Sequence, residues 1–153
     1  MAHVVTQTEA EWRACAREEL LQLGDDLLYT EKTHFAAAET LHKFNRIFGL
    51  AATMLSTAAA GAIVADLSKV AAGLLALVAA IISGSLTFVK PEQLAAQHLA
   101  TGRQLGALRV RARHVLTLDL ARLPVRDLRK TLAEMVEEKA AIESSSPDRK
   151  SVV

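Results

Sequence analysis

The sequence predicts an all-α integral membrane protein: a two-helix transmembrane hairpin with long cytoplasmic helical extensions. Three observations predict it. Between Arg46 and Lys90 the only charged residues are Asp66 and Lys69, which leaves residues 47–65 and 70–89 as uninterrupted apolar runs. At 1.5 Å of rise per residue each run is about 30 Å long, the thickness of a bilayer's hydrocarbon core. Elsewhere apolar residues recur four and three apart, and no stretch alternates with period two or carries an Asn-Gly or Asp-Gly turn.

Taken in order, Thr8-Glu9-Ala10-Glu11 fits a capping box and opens a cytoplasmic helix over residues 8–46. Its seam reads Ala16, Leu20, Leu23, Leu27, Thr30, His34, Ala37, Leu41, Phe44 and Phe48, the spacing of a packed helix. Gly24 marks a kink or a break, because glycine costs about 1 kcal/mol against alanine in a helix interior. The first span (47–65) and the second (70–89) are separated only by residues 66–69, a turn short enough to force antiparallel neighbours. Pro91 suits the first turn of the next helix. A second seam follows in Leu94, His98, Thr101, Leu105, Leu108, Ala112 and Val115, and Pro124 forces a restart. Cytoplasmic helices therefore fill 91–143 of a single domain spanning 1–147, and residues 148–153 form a flexible tail.

Two alanine-rich helices can also be the enclosed centre of a soluble bundle. The flanking helices carry narrow seams rather than broad apolar faces, so they are poorly suited to cover about 40 apolar residues, and lipid is the expected solvent. Lys32, Lys43 and Arg46 precede the first span and Lys90, Arg103 and Arg109 follow the second, against Lys69 alone in the turn. The positive-inside rule then keeps both termini cytoplasmic in a multi-pass arrangement. Small residues lie four apart in both spans: Ala52, Ser56 and Ala60, then Ala72, Ala76, Ala80 and Gly84. Such stripes let membrane helices approach closely. One stripe serves the hairpin, and the other is free for a second copy, so a homo-oligomer is expected.

The order of residues also resembles a known family. A helix carrying Lys32-Thr33-His34-Phe35-Ala36-Ala37-Ala38 leads to Asn45 and Gly49-Leu50. Then come the two spans, Phe88 and Pro91, and Ala95, His98, Gly102 and Leu108 on the emerging helix. From about residue 17 to 147 this resembles the SLATT family, two-transmembrane effectors associated with nucleotidyltransferase and nucleotide-sensing domains in bacterial conflict systems. A tyrosine that the family often carries after the glycine is replaced here by Leu105 or Gly106, which leaves any role of that hydroxyl without a carrier. The resemblance implies an anti-phage effector of the bacterial inner membrane. It would form pores when a nucleotidyltransferase or nucleotide-sensing partner signals infection.

No enzyme motif is present, so catalysis, a metal and a cofactor are not expected. Five scattered histidines lack ligand spacing, and aromatic residues are too few, at 4%, for a nucleic-acid stacking surface. The net charge of +1 gives no field for nucleic acid either. Cys15 is the one cysteine, compatible with a reducing cytosol. Three candidate residue sets remain. Thr30, His34, His98 and Thr101 fall on the two seams, with the histidines about 20 and 14 Å from their spans at helical rise. They form either an ordinary satisfied core or a polar stalk layer that sets register and titrates near neutrality. Thr53, Ser56, Thr57, Ala60, Ala76, Ala80, Ser83, Gly84 and Thr87 either pack helix on helix or line a conduit. Arg103, Arg109 and Arg113 either form a solvated face or contact lipid or partner phosphates. The leading expectation is an oligomerising, membrane-permeabilising effector. The alternative is a constitutive membrane anchor or scaffold that recruits a cytosolic partner without a pore.

Overall fold

The structure, a computed structural model, describes residues 8–66 and 68–147. Among these there is no strand. The chain runs through α1 (Glu9–Val64), α2 (Lys69–Val89), α3 (Pro91–His114), a π-helical turn (Val115–Asp119) and α4 (Val125–Ser145). The tail expected at 148–153 lies outside the described residues.

Local chemistry accounts for each boundary. The Thr8 amide donates to Glu11 Oε2 at 2.8 Å and the Glu11 amide to Thr8 Oγ1 at 3.3 Å, the reciprocal capping box. The same backbone bond from Thr8 holds the Glu11 carboxyl below the usual carboxylate range. α1 does not break at Gly24 or at residue 47. Leu20, Leu23 and Leu27, all buried beside Gly24, outweigh the about 1 kcal/mol of lost propensity. Ser68 caps α2, its Oγ accepting from the Ala71 amide at 3.4 Å. Lys90 ends α2 in the left-handed conformation (φ 48°), donating its amide to Leu86 O at 3.0 Å, and Pro91 starts α3 without needing a donor. The π-turn, closed by the Leu120 amide on Val115 O at 2.8 Å, was not expected from the sequence. The π-turn ends at Asp119, a turn follows, and Pro124 caps the start of α4.

The chain divides into two compact units, described residues 8–35 with 98–147, and 36–97. The first is a three-helix unit. Ala16, Leu20, Leu23 and Leu27 of α1 share a core with Leu105, Leu108 and Ala112 of α3, Val115 of the π-turn, and Leu128, Met135 and Ile142 of α4. Arg111 reaches Glu138 at 2.9 Å and Glu134 at 3.4 Å, and Lys139 pairs with Asp26, joining α4 to its two neighbours. The Asp26 carboxylate raises the Lys139 pKa.

In the second unit burial is sparse: Ala38 and Leu41, then Ala52 and Ala59 on α1, Ala72 and Ala79 on α2, and Pro91 and Ala95 on α3. α1 and the helix beginning at Lys69 are both long and apolar enough to cross a membrane, and only 11% of the apolar window of each is buried. The α1 seam departs from expectation beyond His34. Ala38 is buried where Ala37 was expected, and Phe44 and Phe48 are about two-fifths exposed. Leu41, seven residues after His34, is buried as expected; past it the partly buried positions are Asn45 and Gly49, one residue beyond Phe44 and Phe48, so the seam shifts by one residue only after Leu41. The two displaced phenyl rings stack on each other instead, centroids 4.3 Å apart.

Candidate functional site

The four polar residues expected on the two seams are all buried in the three-helix unit. Thr30, His34, His98 and Thr101 are its buried polar residues, and His98 is only 1% exposed. Thr30 spends its hydroxyl on Asp26 O at 2.9 Å. The two imidazoles meet Nδ1 to Nδ1 at 2.9 Å, with ring centroids 5.1 Å apart and planes tilted by 42°. Such a contact is a hydrogen bond only when one of the two Nδ1 atoms carries a proton. His98 Nε2 is buried and has no hydrogen-bond partner among the described residues. A buried N–H without an acceptor is rarer than a bare lone pair. We therefore assign the Nδ1–H to His98, donating to His34, and leave Nε2 of His98 unprotonated. Burial also pushes the His98 pKa down, which keeps this neutral form in place.

Beside the histidines, two glycines set how closely α1 and α3 approach. A Cβ at Gly102 would lie 3.3 Å from the Phe35 ring, and one at Gly106 would lie 3.0 Å from Glu31 Oε1. Glu31 in turn sits 2.9 Å from Arg109 Nε. The pair is close in charge but poorly aligned, since neither Glu31 Oε2 nor Arg109 Nε completes a hydrogen bond. Sequence reading missed Glu31 and Gly106. The signal was the spacing Gly102-x-x-x-Gly106 opposite Glu31-x-x-x-Phe35, one small face against one bulky face.

Of the three arginines singled out, Arg109 has its charge met by Glu31, whereas Arg103 and Arg113 are exposed. The apolar-helix residues divide differently. Ser56, Ala60, Ala76, Ala80 and Ser83 are exposed and Gly84 half-buried, while the lines that do pack run Ala52–Ala59 and Ala72–Ala79, seven apart rather than four. A step of four advances 40° around a helix, so a stripe of fours drifts off the contact that a step of seven nearly keeps. Thr53, Thr57 and Thr87 donate their hydroxyls to Gly49 O, Thr53 O and Ser83 O at 2.9, 2.9 and 3.0 Å. Such back-bonds let a hydroxyl sit in an apolar solvent without an external partner. Among the described residues no cluster of three or more His, Cys, Asp or Glu is placed to hold a metal.

Comparison of the chain with known family models, with curated proteins and with solved structures finds no match.

Proposed function

We propose that the chain is a membrane-embedded effector of the bacterial inner membrane, similar to the SLATT family. In this reading α1 and α2 form a two-helix transmembrane hairpin. Its helical extensions and both termini lie in the cytoplasm, and copies assemble and permeabilise or depolarise the membrane when a nucleotide-signalling or sensor partner activates them. One observation carries the reading. A core helix of a soluble protein is mostly buried by its own chain, whereas both apolar windows here are only 11% buried. Large apolar side chains such as Ile47, Met54, Leu74, Ile81 and Phe88 stand exposed along them. Water would penalise that surface at roughly 25 cal/mol per Å², and lipid would not. The charge distribution, with Lys69 alone between the two runs, supports cytoplasmic termini.

Release of the effector from its control stops growth and collapses the membrane potential. In liposomes the purified chain releases a trapped dye, and Ser56→Leu or Ser83→Leu abolishes release by blocking a weakly polar conduit. Undiminished leakage in both variants contradicts the conduit. The inward-turned hydroxyls of Thr53, Thr57 and Thr87 favour a second reading, a constitutive anchor that recruits a cytosolic partner without a pore. Expression without growth arrest and with an intact membrane potential selects it.

A further inference from the structure

The histidine layer marks the edge of the three-helix unit on both helices that cross it. His34 is the last residue but one that α1 contributes to the unit, and His98 is the first from α3. α1 is one uninterrupted helix from Glu9 to Val64. Whatever spaces α1 from α3 at this layer therefore spaces the points where the chain leaves the unit and returns to it.

In the closed layer one proton lies between the two Nδ1 atoms, 2.9 Å apart, and His98 Nε2 is bare. Every further proton is badly placed there. On His34 Nδ1 it would set N–H against N–H across that contact. On His98 Nε2 it would make a cationic ring, 1% exposed, whose N–H meets no acceptor among the described residues. Nor do the neighbouring charges offset this. Three and four residues from either histidine on its own helix the only charged side chain is Glu31, and Arg109 lies 2.9 Å from it. On α4 the last charged side chain, Glu143, pairs with Lys139 at 3.7 Å. Water admitted by separating the helices would satisfy each of these N–H groups, so proton uptake and opening are coupled. Burial, which pushes the His98 pKa down, acts with the same sign. What limits the opening is the core beyond it, where Leu20, Leu23 and Leu27 share a cluster with Leu105, Leu108 and Ala112 and carry no titratable group.

We infer that the His34–His98 layer is a proton-operated clasp: it holds α1 to α3 at neutral pH and opens in mild acid, while the leucine core of the same unit stays closed. The clasp does not depend on whether lipid surrounds the apolar helices. Below the ordinary imidazole value of about 6.5, the ratio of open to closed layer rises by up to about tenfold per pH unit for each proton taken up.

Distances between paired spin labels on the full chain in detergent, at pH 7.5 and pH 5, test this in a Cys15→Ser background. Lys32→Cys with Ala100→Cys places labels at exposed positions two residues from each histidine, and Gln22→Cys with Val110→Cys places them at exposed positions beside the leucine core. The first pair is expected to gain a longer distance at pH 5 and lose it again on return to pH 7.5, while the second pair does not change. In the His34→Leu/His98→Leu variant the response of the first pair is lost. A first pair that ignores pH, two pairs that lengthen together, or a response that survives in the double leucine variant overturns the inference. The first two of these outcomes are read on a chain whose histidine layer is intact, so they stand even where the leucine variant does not fold.

Discussion

His98 illustrates how one buried nitrogen sets a condition on a whole layer. Its Nδ1 holds His34, its Nε2 meets no hydrogen-bond partner among the described residues, and burial favours the neutral ring. Because the folded pKa is lowered, the unfolded chain binds more protons wherever pH lies between that value and the ordinary imidazole value of about 6.5. Stability is therefore complete above about pH 6.5 and declines as pH falls towards the lowered value. A doubly protonated pair would oppose two N–H groups at 2.9 Å and split the layer. Denaturant melts in detergent between pH 7.5 and 5 measure this, and His34→Leu/His98→Leu is expected to flatten the histidine part of the slope. His98→Leu alone leaves His34 Nδ1 buried without its donor and costs about 1–3 kcal/mol, while the double variant costs less. Equal costs for single and double variants contradict the pairing. Gly106 is the other residue with a sharp prediction. Gly106→Val drives a side chain into Glu31, 3.0 Å from the site of its Cβ, and should cost about 1–3 kcal/mol by overpacking. If Gly106→Val melts like the parent, α1 and α3 do not approach as described.

Elements were legible where the sequence carried a period or a stop signal. Thr8 and Glu11 announced the α1 cap, Pro91 the start of α3 and Pro124 the start of α4, and each boundary falls within a residue or two of its signal. The π-turn was not legible, because Val115–Asp119 differs from an α-helical turn by one hydrogen-bond step that no residue type demands. Its support comes from 107 and 110 residues away. Arg13, itself paired with Glu9 at 2.7 Å, donates to the carbonyl oxygens of Leu120 and Leu123. A cation at these terminal carbonyls also suits the negative end of the helix. Arg13→Ala is expected to lower stability by about 1.5–3 kcal/mol, the range for charged hydrogen bonds, and to raise amide exchange at Leu120 and Leu123 first. Uniform exchange changes across α3 and α4 contradict a local capping role. The packing of the apolar helices was half legible. Small residues were expected to meet in steps of four, and the buried ones are Ala52 with Ala59 and Ala72 with Ala79, seven apart. Many alanines offer several equivalent stripes, and sequence alone gives no reason to prefer one.

At the scale of the molecule, the helical class followed from the absence of any two-residue period, and two apolar helices followed from residues 47–65 and 70–89. What remains decisive is the solvent around the apolar helices. Single-cysteine labelling with a membrane-impermeant maleimide on intact spheroplasts measures it most directly, comparing native Cys15 with Ser68→Cys and Ser144→Cys, each of the latter in a Cys15→Ser background. The account predicts that only the Ser68→Cys chain is labelled before permeabilisation and that all three are labelled after it. Labelling of Cys15 or of the cysteine at 144 from outside, or recovery of the chain in the soluble fraction without detergent, would contradict it.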